Sequence, residues 1–187
     1  TLNPLLRRSG SEYAALRYLL HPFLLMEDPD SQELLPWLAA TLPEISADGL
    51  TQTWTIKDGA DWQDGMAVSS ADVVFSWTML AKLDDRDAGV VKGLLGGVQK
   101  VEAIDARRFR VTFREYAYRA AASFGLNFGI VAAHATPTEP AEFTAIRAPM
   151  FCGPYRIADW KADELVLEHT GAKWWGYAHP VFAGKWR

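Results

Sequence analysis

Cysteine is nearly absent: Cys152 stands alone among 187 residues, which excludes an internal disulfide framework and a multi-cysteine zinc site. Long apolar runs are missing too. No stretch reaches the roughly 18 to 20 residues that a membrane-crossing helix needs. The longest candidate, 120–135, is interrupted by Ser123, Gly125, Asn127 and Gly129. Basic residues form no stripe and the formal net charge is −4, so nucleic acid is not indicated as a partner. Nucleophile elbows, phosphate-binding Gly-Lys loops, His-Glu-x-x-His and Gly-x-Gly-x-x-Gly are all missing. The 4 histidines, His21, His134, His169 and His179, lack metal-ligand spacing. No catalytic residue, resident metal or cofactor is therefore expected. Thr1 in place of an initiator Met makes a processed or excised chain the expectation.

What is present is a chain that is 49% hydrophobic and 22% charged, enough apolar material for one sizeable core. Its 8 tryptophans exceed what a core alone needs and supply candidates for a ligand cleft. Asp58, Asp61 and Asp64 superficially resemble a calcium loop, but each falls in turn chemistry, and the Glu at the twelfth position of an EF-hand loop is lacking. Cys152, without a companion motif, reads as a small buried residue.

Patterning predicts a helix from Glu12 to about Leu20, capped by Ser11 and stopped near Pro22. A buried strand follows at Phe23–Met26, ending in the turn Glu27-Asp28-Pro29-Asp30. Pro36 suits the first turn of a short helix from Trp37 to Leu42. Alternation marks a half-buried strand over Thr51–Lys57. The clearest helix begins at Ser69 or Ser70 and runs to about Leu83, with Asp72 three residues after Ser69 as in a capping box, and with Val73, Val74, Trp77, Leu80 and Ala81 as its apolar face. A loop rich in Gly and Asp follows. Val98–Ile104 and Arg108–Arg114 form a hairpin about Asp105-Ala106-Arg107. Tyr118–Leu126 is a short helix candidate, Thr136–Pro149 a polar connection, and Tyr155–Trp160 with Glu164–His169 a second hairpin. Strands and helices mix without regular βαβ alternation, which predicts a mixed α/β (α+β) lobe and not a doubly wound sheet.

Several of these segments occur together in a recognisable order. The stretch from Asp48-Gly49 through Trp54-Thr55-Ile56-Lys57-Asp58-Gly59 to Trp62-Gln63-Asp64-Gly65, followed by Val68-Ser69-Ser70-Ala71-Asp72-Val73, resembles the signature region of the bacterial extracellular solute-binding proteins of the oligopeptide/dipeptide/nickel type, family 5. Gly153-Pro154-Tyr155, Leu165-Val166-Leu167-Glu168 and Lys173-Trp174-Trp175-Gly176 match further blocks, as do Leu2-Asn3-Pro4-Leu5 and Leu34-Leu35-Pro36-Trp37 upstream. The chain departs from the pattern at Cys152, where a small hydroxyl or Gly is usual, and at Ala132-Ala133-His134, where a Pro-Lys-His-like segment is common. The matched residues themselves are mostly structural: Asp64-Gly65 supplies a turn needing positive φ, Asp72 caps a helix, and Trp62 packs beneath the turn.

The resemblance implies one lobe of a type II periplasmic-binding-protein-like fold, with a mixed sheet, hairpins and flanking helices. It implies that residues 1–187 are the partial N-terminal lobe of a longer protein whose second lobe is not in this chain. The implied function is that of the substrate-binding component of an ABC importer, not an enzyme, capturing a peptide or similar small solute outside the cytoplasmic membrane for a membrane permease. The ligand residues it implies are Ser9 and Ser11 in the Arg8–Ser11 loop, Tyr13, Asn127 beside Phe128, and Phe151 beside Cys152. Tyr13 is equally readable as a core aromatic of its helix. Arg147 has the planar guanidinium that suits a ligand carboxylate, with a plain surface arginine as the other reading. The alternatives from other classes are a hydrolase, or a protein-interaction or regulatory domain on the same fold.

Overall fold

The computed structural model describes residues 2–6, 19–21, 23–28, 30–116, 119–161, 163–171 and 174–178. The centre of the fold is an antiparallel sheet of four strands in the order β3-β4-β6-β5, comprising β3 (Glu44–Ile45), β4 (Thr51–Thr55), β5 (Val98–Ala103) and β6 (Arg108–Phe113). Period-2 patterning sets its two faces. Gln52 and Trp54 of β4, Phe109, Val111 and Phe113 of β6, and Val98 and Val101 of β5 are buried, while the intervening Thr, Arg, Lys and Glu side chains face water. Trp54 stands opposite Phe109 in the register, their rings 6.4 Å apart and nearly parallel. The one polar side chain on the buried face of β4 is satisfied locally, because Trp54 Nε1 donates to Gln52 Oε1 at 3.1 Å.

Helix α1 (Ser70–Lys82) covers this face with Val73, Met79 and Leu80 buried. Its N-terminal turn is the best-tied point of the molecule. The buried Asp72 carboxylate accepts from Ser69 N at 2.8 Å, Ser69 Oγ at 3.0 Å, Ala133 N at 2.8 Å and, more distantly, Trp62 Nε1 at 3.4 Å. One turn later Ser76 Oγ donates to Asp72 O and accepts from Val131 N at 2.9 Å. The segment 131–133 is thereby fixed to the helix start, and Trp62 is held below its turn, closed by Gly65 at φ 88°.

Helix α2 (Asp85–Leu94) occupies what reads in sequence as a Gly- and Asp-rich loop. Its Ala88 and Val91 are buried, and Lys92 pairs with Asp85 at 2.9 Å. This burial and pairing offset the helix penalty of Gly89 and Gly93. Helix α3 (Ala120–Asn127) packs Phe124 against Trp54, Phe109 and Phe128. A short α4 (Pro140–Ala145), with Pro140 in its first turn and Phe143 buried, interrupts the connection expected at 136–149. The helix expected at 37–42 is not formed. Leu34–Pro36 is instead strand β2, paired with β1 (Leu25–Glu27), and the amides of Trp37, Leu38 and Ala39 donate to the main-chain carbonyls of Leu24 and Phe23. Non-local pairing overrides the proline signal there. The predicted helix from Glu12 lies mostly outside the described residues.

The second hairpin forms as expected, β7 (Tyr155–Trp160) with β8 (Leu165–His169). Where the resemblance implies a mixed sheet, every ladder among the described strands is antiparallel. The β7–β8 ribbon rests on a second apolar cluster, Leu2, Leu20 and Phe151, with Tyr155, Ile157, Trp160, Leu165 and Leu167 only half-buried around it. Adjacent residues thus serve different cores, Phe151 the small one and Cys152 the large one. Burial pushes the Cys152 thiol well above its ordinary value, aided by the nearby Asp72 charge. Gly153 makes the crossing possible, since a Cβ there would lie 2.3 Å from Leu19 O.

Two outcomes test this account. Asp72→Ala leaves the donors of Ser69, Ala133 and Trp62 facing a void and lowers unfolding stability by about 3 kcal/mol in urea melts. His21, buried against Phe151 with Nε2 donating to Leu2 O, has its pKa lowered to about 3 by burial. The unfolded chain therefore binds a proton there that the folded chain refuses between about pH 6.5 and 3, so stability falls as pH drops through that window, by roughly 1 kcal/mol per pH unit. Urea melts at pH 7 and pH 4 show that slope, and His21→Gln, which keeps a donor for Leu2 O, flattens it.

Candidate ligand-binding wall

A concavity of about 730 Å³ lies where α3 meets the β1–β2 hairpin. Helix α3 lends it Ala121, Ala122, Ser123, Leu126 and Asn127, the preceding Arg119 joins them, and the hairpin lends it Glu27, Gln32 and Leu34. The floor is small and apolar, while an acid stands on the hairpin side and a guanidinium at the helix N-terminal side. Asn127 ends α3 with Nδ2 donating to Ser123 O at 2.9 Å, which holds its amide on the helix surface. The hairpin loop is shaped by Asp28, whose carboxylate accepts from Asp30 N at 2.8 Å and Ser31 N at 3.0 Å, and by Gln32 in the left-handed region at φ 61°. A residue with a Cβ pays conformational strain at that φ.

Of the residues expected to bind ligand, Asn127 lies in this wall. Ser9, Ser11 and Tyr13 lie outside the described residues. Arg147 takes the structural role: its guanidinium stacks 3.9 Å from the Trp160 ring centroid and donates to Trp160 O at 3.4 Å and Lys161 O at 3.2 Å, while its own carbonyl accepts from Leu2 N. Phe151 is 3% exposed and packed edge-on to His21, so it is a core residue of the small cluster. These two do not join Asn127 around one cavity. Glu27, Gln32 and Arg119 escaped sequence reading, since only the fold brings the hairpin loop to α3; the non-Gly residue closing a short hairpin loop was the one local hint.

Elsewhere, Asp64 Oδ2 meets His134 Nε2 at 2.8 Å, and the Met66 amide, ahead of that contact, holds the Asp64 carboxyl below its usual range. Among the described residues no group of three or more His, Cys, Asp or Glu is placed to hold a metal ion, and no helix is long and apolar enough to cross a membrane.

Residues 33–183 match the family model described as bacterial extracellular solute-binding proteins, family 5 middle. The chain belongs to that family. Among curated relatives, this family 5 chain is 29% identical over 154 residues to Protein XP55 of Streptomyces lividans, covering 82% of this chain and 27% of the relative. It is 26% identical over 167 residues to the peptidoglycan-binding protein YepA of Agrobacterium fabrum, covering 89% of this chain and again 27% of the relative. Among solved structures, the Haemophilus influenzae OppA complex with the peptide RPPGFSPFR superposes with a TM-score of 0.77 at 21% identity, over 94% of this chain and 37% of that one. The family 5 chain thus spans about a quarter of the length of these curated relatives. The mixed α/β architecture is that of the family, and the signature blocks fall where the fold needs them: a turn at Asp64-Gly65, a helix cap at Asp72 and the crossing at Gly153.

Gln32→Gly removes the left-handed strain and raises unfolding stability by about 0.5 to 1 kcal/mol in thermal or urea melts. A loss of stability instead would show that the Gln32 side chain holds the loop together.

Proposed function

We propose that this chain is part of the solute-capturing component of an ABC importer, working outside the cytoplasmic membrane, in the periplasm or on the cell surface, and handing a peptide-like solute to a membrane permease. The observation that carries the reading is the concave wall with Glu27 and Arg119 at its ends and Asn127 between apolar positions. A carboxylate and a guanidinium flanking a small apolar floor complement a ligand with an ammonium and a carboxylate of its own. The peptide in complex with the similar OppA, and the similarity to the peptidoglycan-binding protein YepA, agree with a solute of that kind.

An open wall of this sort buries only one side of its ligand. Tight capture needs a second wall, and closure is driven by whatever extra contacts the ligand makes in the closed form. We assign residues 1–187 to the N-terminal lobe, with the second wall supplied by a lobe outside this chain. The half-buried face of the β7–β8 ribbon supports this, because a lone two-stranded ribbon is marginal without further cover. Ser9, Ser11 and Tyr13 are proposed as further ligand residues.

The test is calorimetric titration of the full gene product with a panel of di- to hexapeptides, beside histidine-chelated nickel and an opine. A peptide binds, and Asn127→Ala weakens it about tenfold while Arg147→Lys does not. Selective binding of a non-peptide solute, or peptide binding indifferent to Asn127, Glu27 and Arg119, overturns the reading.

A further inference from the structure

Arg119, just before α3, and Ser123, one turn into it, form a ridge with a concavity on either side. One is the Asn127 wall. The other, of about 180 Å³, opens between α2, α3 and the neighbouring ends of β5 and β6, and ligand capture as described above makes no use of it. Leu94, which ends α2, the following Leu95, Val98 of β5, Phe113 of β6 and Ala120 of α3 give it an apolar lining. Ser123 and Arg119 supply the only polar side chains of that lining. The Ser123 hydroxyl is engaged internally, donating to Leu94 O at 2.8 Å, which ties α2 to α3. Gly97 keeps the entrance open: it is exposed, and a Cβ there would stand 3.8 Å from the Phe113 ring. Leu94 is 42% exposed, so the apolar lining runs out to the surface.

The rim of this pocket is basic. Arg119 is exposed and enters no ion pair among the described residues. Arg114 is held beside the entrance, its amide donating to Gly97 O at 2.9 Å and its Nη1 to Gly96 O at 3.2 Å, and it too lacks an ion pair among those residues. Glu115, the acid that lies between them in sequence, pairs with neither. A cation is repelled by such a rim. A small inorganic anion gains only exposed guanidiniums, whose attraction water and salt screen. A neutral hydrocarbon leaves both charges unused. An alkyl carboxylate uses everything present, because its tail leaves water for the apolar lining while its head stays at the rim. An apolar protein cavity of about 150 Å³ accepts benzene, so a volume of this size suits a tail of about six carbons.

We propose that this pocket is a second ligand site, for a free medium-chain alkanoate, with its tail between Leu94 and Phe113 and its carboxylate at the Arg114 and Arg119 rim. The site lies across the ridge from the Asn127 wall and does not depend on what that wall captures.

The experiment is titration of the full gene product with octanoate, read by calorimetry and by ligand-observed NMR, with butyrate as the short analogue and octan-1-ol as the uncharged one. Octanoate binds saturably. Butyrate binds at least about tenfold more weakly, since each buried methylene contributes up to about fourfold, and octan-1-ol at least about fivefold more weakly. Gly97→Val fills the entrance and Leu94→Asp sets a like charge beside the carboxylate; each weakens octanoate at least about fivefold with unchanged circular dichroism. Arg114→Gln combined with Arg119→Gln brings octanoate down to the level of octan-1-ol. The proposal is overturned by the absence of saturable octanoate binding, by equal binding of octan-1-ol, or by indifference to both pocket variants. Octanoate binding lost in Asn127→Ala but kept in Gly97→Val would place the ligand across the ridge and overturn it too. Adsorption to phosphatidylglycerol vesicles without binding of free octanoate would mark a membrane-facing patch instead, and is equally fatal.

Discussion

A carboxylate withdrawn from water must be surrounded by donors, and the way Asp72 meets that requirement organises this protein. Its donors come from a tryptophan ten residues before it, from the cap of its own helix, and from a main-chain amide sixty-one residues later. None of those segments can shift without stranding the charge. The Trp62 turn, the first turn of α1 and the 131–133 segment are therefore one unit, with Ser76 repeating the tie a turn further on. Because 131–133 leads directly from Phe128, which is stacked on Phe124 of α3, the constraint reaches the wall that carries Asn127.

That wall stands on a rigid floor. Trp54, Phe109, Phe124 and Phe128 form a contiguous aromatic group between sheet and helix, and such packing resists displacement by even small volume changes. The hairpin loop opposite is different in kind, a short exposed loop with a strained Gln32.

Much of this was legible in the residues. Alternation placed β4, β5, β6 and both hairpins, and Ser69 with Asp72 placed the start of α1, because each of these signals is local and the structure adds nothing that contradicts it. Cys152 was rightly read as interior, while Trp62, in a stretch that looks exposed in sequence, is buried beneath its turn. What was not legible depended on partners far away in sequence. Gly89 and Gly93 argued for a loop until Val91 and Ala88 found the core. Pro36 suggested a helix start until β1 offered a strand to pair with. Arg147 suggested a ligand contact, but Trp160 and two carbonyls of the β7–β8 turn had a prior claim on its guanidinium. The hairpin's share of the wall could not be seen at all, since nothing local says that Glu27 and Gln32 will face α3.

The four-stranded sheet also ends in a particular way on each side. β3 is only two residues long and exposes Glu44, while β5 is bulged between Val98 and Lys100 and bears the Lys100–Glu102 ion pair, 2.6 Å apart. Neither outer strand offers the flat, unbroken template that invites an intruding chain to add on. Nascent copies crowded together can therefore fold side by side without zippering edge to edge into aggregates.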